Sequence, residues 1–298
     1  MDICVVLPED CISRIISFTS PRDACRSSVL SPAFKSAADS DAVWETFLPS
    51  DYQQIISSSS STTTTLVSLP KKDLYFYLCD SHLLVNNGTL SFSLNKENGK
   101  KCYMVGARRL SIVWGHEPQY WTWTDQRLLP ESRYVFFFFF FFFNVYSIAF
   151  GLKINKRVLL VCKRFAQVAE LKYVWWFDVK GRLETKFLSS KTNYVAYLVF
   201  KFANHRHGFE DRPIELSFYL EGRECETRRN KKVVLDPQRN SLPQPYQLRG
   251  DGWMEIEMGE FFNEHGADGV VVCSLFDFDR FSPKGGLIVE GIQLRPKN

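Results

Sequence analysis

The chain has 298 residues, 45% of them hydrophobic, and a formal charge of +4 from 37 basic and 33 acidic residues. That length holds one or two domains with ample material for a packed core. The charge is misleading: residues 134–164 carry Lys153, Lys156, Arg157, Lys163 and Arg164 and no acid, and without them 32 basic residues face 33 acidic ones, which excludes a general electrostatic case for nucleic acid.

Residues 1–50 read as a small all-α unit. Leu7-Pro8-Glu9-Asp10 opens a helix, with proline and acids in its first turn, and Ile12, Ile15 and Ile16 form its apolar stripe. Ser20-Pro21-Arg22-Asp23 predicts a second helix with Ser20 as N-cap and Asp23 at the third position, lined by Ala24, Cys25, Val29 and Leu30. Ser31-Pro32 breaks the chain. A third helix carries Phe34, Ala37 and Ala38, and a last turn carries Val43, Trp44, Phe47 and Leu48. About 45 residues bury too little surface to be very stable alone, so an apolar face left over should seek a partner.

Residues 51–72 contain a nine-residue Ser/Thr tract without apolar periodicity and predict a flexible linker. From Lys71 onward the pattern turns to strands. Asn86-Asn87-Gly88 and Glu97-Asn98-Gly99 bound Leu90–Leu94 as turn signals. In Ile112–Trp123, three tryptophans and Tyr120 surround a turn marked by Gly115 and Pro118. Flat indole faces beside polar groups suit a pyranose ring, whose C–H face stacks while its hydroxyls bond outward; filling a sandwich core is the competing use.

Tyr134 to Arg164 breaks the pattern. Phe136–Phe143 is an unbroken phenylalanine run that neither helical nor strand periodicity explains. Three readings stand. Tyr134–Leu152 has the length of a membrane span with a basic flank. A translated intron is the second, because phenylalanine codons are all pyrimidine and Tyr134-Val135 can be encoded within GTATGT, a common intron opening. A genuine loop is the third. Excision joins Leu129-Pro-Glu-Ser-Arg133 to Phe165-Ala-Gln-Val-Ala-Glu-Leu171 as one amphipathic stretch.

Beyond it, Val174–Val179 precedes Gly181, and Tyr194–Phe202 is nearly all apolar and so buried on both faces. Ile214, Leu216, Phe218 and Leu220 alternate with polar neighbours as a half-exposed strand. Met254, Ile256 and Met258 alternate with Trp253, Glu255 and Glu257, and Val270–Phe276 and Leu287–Leu294 close the domain. The sum is an α+β multidomain chain: a helical unit followed by an antiparallel β-sandwich of jelly-roll type.

Two resemblances sharpen this reading. Leu7-Pro8, Ser20-Pro21-x-Asp23 and Val43-Trp44-x-x-Phe47-Leu48 resemble an F-box in content and order. That implies docking on the adaptor subunit of a cullin-type (SCF) ubiquitin ligase, with Leu7, Pro8, Ile12, Ile15, Pro21 and Val29 as contacts. Residues 73–298, apart from 134–164, resemble the phloem protein 2 family of Nictaba-like lectins. The likeness rests on Lys100-Lys-Cys-Tyr-Met104, Ala107-Arg-x-Leu-Ser-Ile112, Trp114-x6-Trp121-x-Trp123, Leu129-Pro-Glu-Ser-Arg133, Tyr194-x-x-Tyr-Leu-Val-Phe-Lys201, Asp251-Gly-Trp-Met-Glu-Ile256 with Gly259-Glu-Phe-Phe262, and Val289-Glu-Gly-Ile292. It implies binding of N-acetylglucosamine oligomers and N-glycan cores through Trp114, Trp121 and Asp277. The acid implied seven residues before Asp277 is Val270 here, which accepts no hydrogen bond from a sugar hydroxyl.

The expectation is therefore a non-enzymatic ligase adaptor that captures a glycan or glycoprotein client. Its alternative is an F-box protein whose β-domain binds a protein client with sugar binding lost. Glu255 and Glu257, two apart on one strand face, raise a weaker hydrolase reading. Arg228-Arg229-Asn-Lys231-Lys232 is expected to be a solvated hairpin end. The eight scattered cysteines have no C-x-x-C pair or metal-ligand spacing, His116, His205 and His207 lack a third ligand, and no secretory signal opens the chain. Cys79, Cys102, Cys225 and Cys273 are expected to be buried fillers. Reduced thiols in the cytosol or nucleus follow, with no cofactor, no metal, no nucleic acid and no membrane partner.

Overall fold

Pro8 caps the first helix in the computed structural model, which describes residues 7–59, 66–126, 164–236, 245–267, 269–278 and 282–297. Helix α1 spans Glu9–Ser17. Helix α2, Pro21–Ser27, starts as the spacing predicts: Asp23 N–H donates to Ser20 Oγ at 3.1 Å, and the Ser20 hydroxyl donates to the Asp23 carboxylate at 2.7 Å. Ser31 repeats the device for α3, Pro32–Asp39, accepting from Phe34 N–H at 3.3 Å, and α4 is Asp41–Phe47. Ile12, Ile16, Ala24, Ala37, Ala38, Val43 and Trp44 are all buried between these helices. Val29 and Leu30 do not line α2 as expected. The helix ends at Ser27, and both side chains stand outside.

The sandwich has two antiparallel sheets. The larger has the order β1-β2-β3-β14-β8-β12-β11, with β6 also pairing β14 and β5 pairing β6. Its strands are β1 Leu83–Val85, β2 Leu90–Leu94, β3 Lys101–Gly106, β5 Trp121–Asp125, β6 Gln167–Leu171, β8 Thr192–His207, β11 Gln247–Leu248, β12 Met254–Asn263 and β14 Gly285–Pro296. The smaller has the order β10-β9-β13-β7-β4. It is built from β4 Ser111–Ile112, β7 Phe177–Glu184, β9 Ile214–Leu220, β10 Arg229–Val233 and β13 Val270–Asp277.

Strand β8 lies between β14 and β12, and its apolar run is buried on both faces as predicted: Tyr194, Ala196, Leu198 and Phe200 enter the main core, while Val199 joins Met104, Phe165, Val168, Trp253 and Ile288 on the other side. Ile214, Leu216, Phe218 and Leu220 point inward as their alternation requires. Strand β12 departs from strict alternation. A bulge between Glu257 and Gly259 shifts the register, so Phe261 turns inward and Phe262 outward. At Gly259 a Cβ would lie 2.6 Å from the Phe218 side chain, so the bulge also lets the backbone approach the facing sheet.

The helical unit is not tethered loosely. Where a linker was expected stands helix α5, Tyr52–Ser57, with Tyr52, Ile55 and Ile56 buried, and where the strand pattern was expected to begin stands helix α6, Lys71–Asp80, with Leu74, Tyr75 and Leu78 buried. Residues 60–65 of the hydroxyl tract lie outside the described residues. The Trp44 ring meets Tyr75 and Phe76 at 5.2 and 5.3 Å. The Tyr75 hydroxyl donates toward the carbonyls of Asn95 and Lys96 at 3.1 and 3.2 Å, in the turn after β2. Gly99 in that turn has φ of +68°, and a Cβ there would sit 2.7 Å from Phe47 O. Lys101 Nζ, on β3, pairs with Asp51 at 2.7 Å. Helices and sheets thus share one hydrophobic core.

Strands β5 and β6 form an antiparallel hairpin closed by Gln126 N–H donating to Ala166 O at 3.0 Å. Gln126 and Ala166 are therefore neighbours at the end of this strand pair. The phenylalanine run and its proposed span lie outside the described residues. Among the described residues, no helix is long and apolar enough to cross a membrane.

Candidate functional site

Among the described residues, exposed apolar side chains occur at several places, Val67, Tyr173, Trp175, Leu248 and Phe262 included, and two groups of them bear on the residues named from the sequence. The first is on the helical unit, where Ile15 is 56%, Phe18 78%, Val29 83% and Leu30 68% exposed. Of the contact residues named from the sequence, Ile15 and Val29 belong to this surface and Pro8 is exposed beside α1. Leu7 is half-buried against the core. Ile12 and Pro21 are buried between the helices, so their part is to hold the unit together. Phe18 and Leu30 were missed by the sequence reading. Both stand just past a helix end, where helical periodicity no longer assigns a face.

The second surface lies at one end of the sandwich. Chain reversal after β4 places Trp114 at φ of +57°, a left-handed conformation rare for a bulky residue. Backbone hydrogen bonds fix it there: Val113 N–H donates to Asp178 O, Gly115 N–H to Ile112 O, and Glu117 N–H to Trp114 O, at 2.9–3.0 Å. Such strain costs about 1–3 kcal/mol and persists where the surroundings over-determine it. Its consequence is an indole held outward, 37% exposed. Trp114 contacts Trp176 at 4.6 Å and Tyr120 at 5.1 Å; Trp176 leads to Phe278 at 6.3 Å, and Phe278 stacks on Phe276 at 6.1 Å. The rings support one another at angles of 39° to 62°, so the Trp114 indole projects from a stepped apolar platform beside Asp178 on β7 and Glu117 in the turn.

Trp121 does not share this platform. It opens β5, which belongs to the other sheet, and it is 1% exposed in the core. The seven-residue spacing carries the chain from one sheet to the other, so one indole faces solvent and the second supports the turn from within. Trp123 also has a positioning part: its Nε1 donates to Gly115 O at 2.9 Å, and Arg108 stacks 3.8 Å above its ring. The extra platform rings, Trp176 and Phe278, were missed. Trp176 shares the outward side of β7 and Phe278 that of β13, but only strand pairing brings them to Trp114.

Asp277 is not a surface acid. It is 5% exposed and pairs with Lys284 Nζ, itself fully buried, at 2.6 Å. Val270 begins the same strand, and an odd separation in a continuous strand puts the two on opposite faces. The register partner of Val270 is Glu184, so a carboxylate does stand beside the position where the lectin likeness implies one.

Glu255 and Glu257 do not form a catalytic pair. Glu255 is 6% exposed and held bidentately by Arg295 at 2.6 and 2.8 Å, whereas Glu257 is exposed. Of the basic stretch, Arg229 to Lys232 lie on edge strand β10 with exposed side chains, and Arg228 precedes it with its guanidinium over the Tyr219 ring. Cys102 and Cys273 are buried as expected, and burial pushes the Cys102 thiol up to about 12. Cys79 is half-buried, its thiol also pushed up to about 12, but Cys225 is exposed in a short helix, Glu224–Thr227, after β9.

Comparison with known proteins agrees with both regions. The phloem protein 2 family matches residues 100–138 and 146–296, and the F-box domain matches residues 6–46. The break at 139–145 falls within the phenylalanine-rich stretch. F-box protein PP2-B10 of Arabidopsis thaliana is 38% identical over 300 residues, covering 97% of this chain and 92% of that protein. F-box protein VBF of the same plant is 32% identical over 317 residues, covering 98% and 99%. Among solved structures, TmCBM61 in complex with beta-1,4-galactotriose covers 44% of this chain and 72% of its own at 12% identity, with a TM-score of 0.25, too low to carry an argument.

Proposed function

The chain belongs to the phloem protein 2 family and carries an F-box domain ahead of its lectin-like sandwich, and on that premise we propose that it is a substrate-recognition adaptor of a cullin-type (SCF) ubiquitin ligase. The F-box takes the ligase's adaptor subunit. The sandwich takes glycans or glycoproteins that contain N-acetylglucosamine. The chain performs no covalent chemistry itself and works in the cytosol or nucleus.

The observation that carries the sugar half is the outward Trp114 with its supporting rings, a strained backbone spent on exposing an indole that the core would otherwise accept. A pyranose lays its C–H face on that platform and turns its hydroxyls toward Asp178 and Glu117. The ligase half is supported by the aliphatic and aromatic side chains left uncovered on the helical unit.

A glycan array probed with the full chain tests the sugar half. Binding to N-acetylglucosamine oligomers that Trp114→Ala removes supports it. A blank array favours the second reading, a client recognised as protein, for which the burial of Trp121 and the apolar Val270 speak. Capture of the ligase's adaptor subunit tests the other half: Ile15→Asp with Val29→Asp abolishes it if the exposed face is the contact, and undiminished capture refutes that face.

A further inference from the structure

We infer that the glycan site continues across the outer face of the smaller sheet into a second subsite that takes a carboxylated sugar, with Arg109 as its anion-binding group. The inference deepens the sugar reading above and rests on it. A pocket of about 410 Å³ opens there, lined by Arg109, Ser111, Lys180, Arg182, Glu184 and Val270. It is an open depression with a mostly charged lining, suited to a polar ring rather than an apolar one.

The pocket and the platform lie on one surface. Trp176, Asp178, Lys180, Arg182 and Glu184 alternate outward along one stretch of chain, and Phe278, Phe276, Ser274, Val272 and Val270 share the corresponding face of the neighbouring strand, with Ser274 and Val272 covered by their neighbours. Register ties the rows: Phe276 lies beside Asp178 and Val270 beside Glu184, while Ser111, three residues before Trp114, lies beside Lys180. From Asp178 to Arg182 the strand rises about 13 Å. A short oligosaccharide with one ring on the indoles therefore places a later ring in the pocket.

Charge selects the chemistry of that ring. Lys180 pairs with Asp178 at 2.6 Å, Arg182 with Glu221, and Lys186 with Glu184 at 2.5 Å. Arg109 makes no hydrogen bond or ion pair with a described residue, so the excess positive charge of the cluster sits on its guanidinium. One fork of N–H donors matches one carboxylate bidentately. The ion-paired residues offer donors and acceptors already held in place for hydroxyls.

Titration calorimetry on the full chain tests the subsite. The probes are a hyaluronan tetrasaccharide, which alternates N-acetylglucosamine with glucuronate, its methyl ester, and a neutral N-acetylglucosamine tetramer. The wild type binds the acid about tenfold or more tighter than the ester. Arg109→Gln, at an exposed position, removes that preference by weakening the acid more than the ester, whereas Trp114→Ala weakens acid and ester alike. Equal binding of acid and ester by the wild type overturns the subsite, as does a preference that survives Arg109→Gln. Binding of the neutral tetramer alone overturns the subsite and leaves the sugar reading standing. Binding of none of the three overturns both.

Discussion

The helical unit and the sandwich expose apolar groups in opposite ways. On the helices, Ile15, Phe18, Val29 and Leu30 stand out at 56–83% exposure, aliphatic or aromatic side chains at and just beyond helix ends. On the sandwich, Trp114, Trp176 and Phe278 are braced ring against ring, and the leading indole is fixed by a left-handed backbone. A helix surface of uncovered bulky side chains suits a macromolecule that buries them. A braced aromatic ledge suits a flat ligand, because its geometry is paid for before binding. Yet the two regions share a core, and that tension sets the tests.

The largest effect is expected at Trp44, buried in the helical unit, in contact with Phe47, Tyr75 and Phe76, and donating from Nε1 to Ala38 O at 2.7 Å. Trp44→Ala should cost about 3–5 kcal/mol. If helices and sheets unfold together, urea denaturation followed by far-UV and tryptophan signals stays one transition that moves to lower urea. Two separated transitions in the wild type would show that the shared core does not couple them.

Next is pH. Burial, reinforced by the nearby Arg164 charge, holds His82 at about 3, well below its ordinary 6.5. Below pH 6.5 the unfolded chain takes up a proton that the folded chain refuses, so stability falls as pH drops from 6.5 toward 3. Between pH 7 and 5 this contributes at most about 2 kcal/mol, and His82→Gln should flatten that part of the melting-temperature profile. An unchanged slope would assign the acid sensitivity elsewhere.

A chain lacking residues 134–164 sharpens the sandwich side. In it Arg133 directly precedes Phe165, the position that Arg164 holds here, where the guanidinium contacts His82 Nε2 at 2.9 Å and Met104. The shortened chain should keep its melting temperature, and adding Arg133→Ala should lower it; a shortened chain that fails to fold would make the segment part of the domain. Ser20→Ala, which removes the cap of α2, should cost about 1 kcal/mol by urea denaturation. Smallest is Val29→Asp: at 83% exposure it should shift stability by within about 0.5 kcal/mol while weakening adaptor capture.

The sequence by itself determined the local devices. Ser20 caps its helix because its hydroxyl sits three residues before an unpaired N–H, and Ser31, read only as a break, proves to do the same for the next helix. The alternation from Ile214 to Leu220 chose its buried face, and the apolar run of β8 its central place. Period and capping are short-range, so residue order alone carries them. What lay beyond reach depended on which strands pair and which helices dock. The seven-residue spacing of Trp114 and Trp121 could not say that the chain changes sheets between them, leaving one ring outside and one within. Asp277 reads as an ordinary acid until Lys284, from the next strand's approach, is seen buried against it. The platform of Trp114, Trp176 and Phe278 is assembled from three separate segments, and only tertiary pairing brings such distant residues within a ring's breadth of one another.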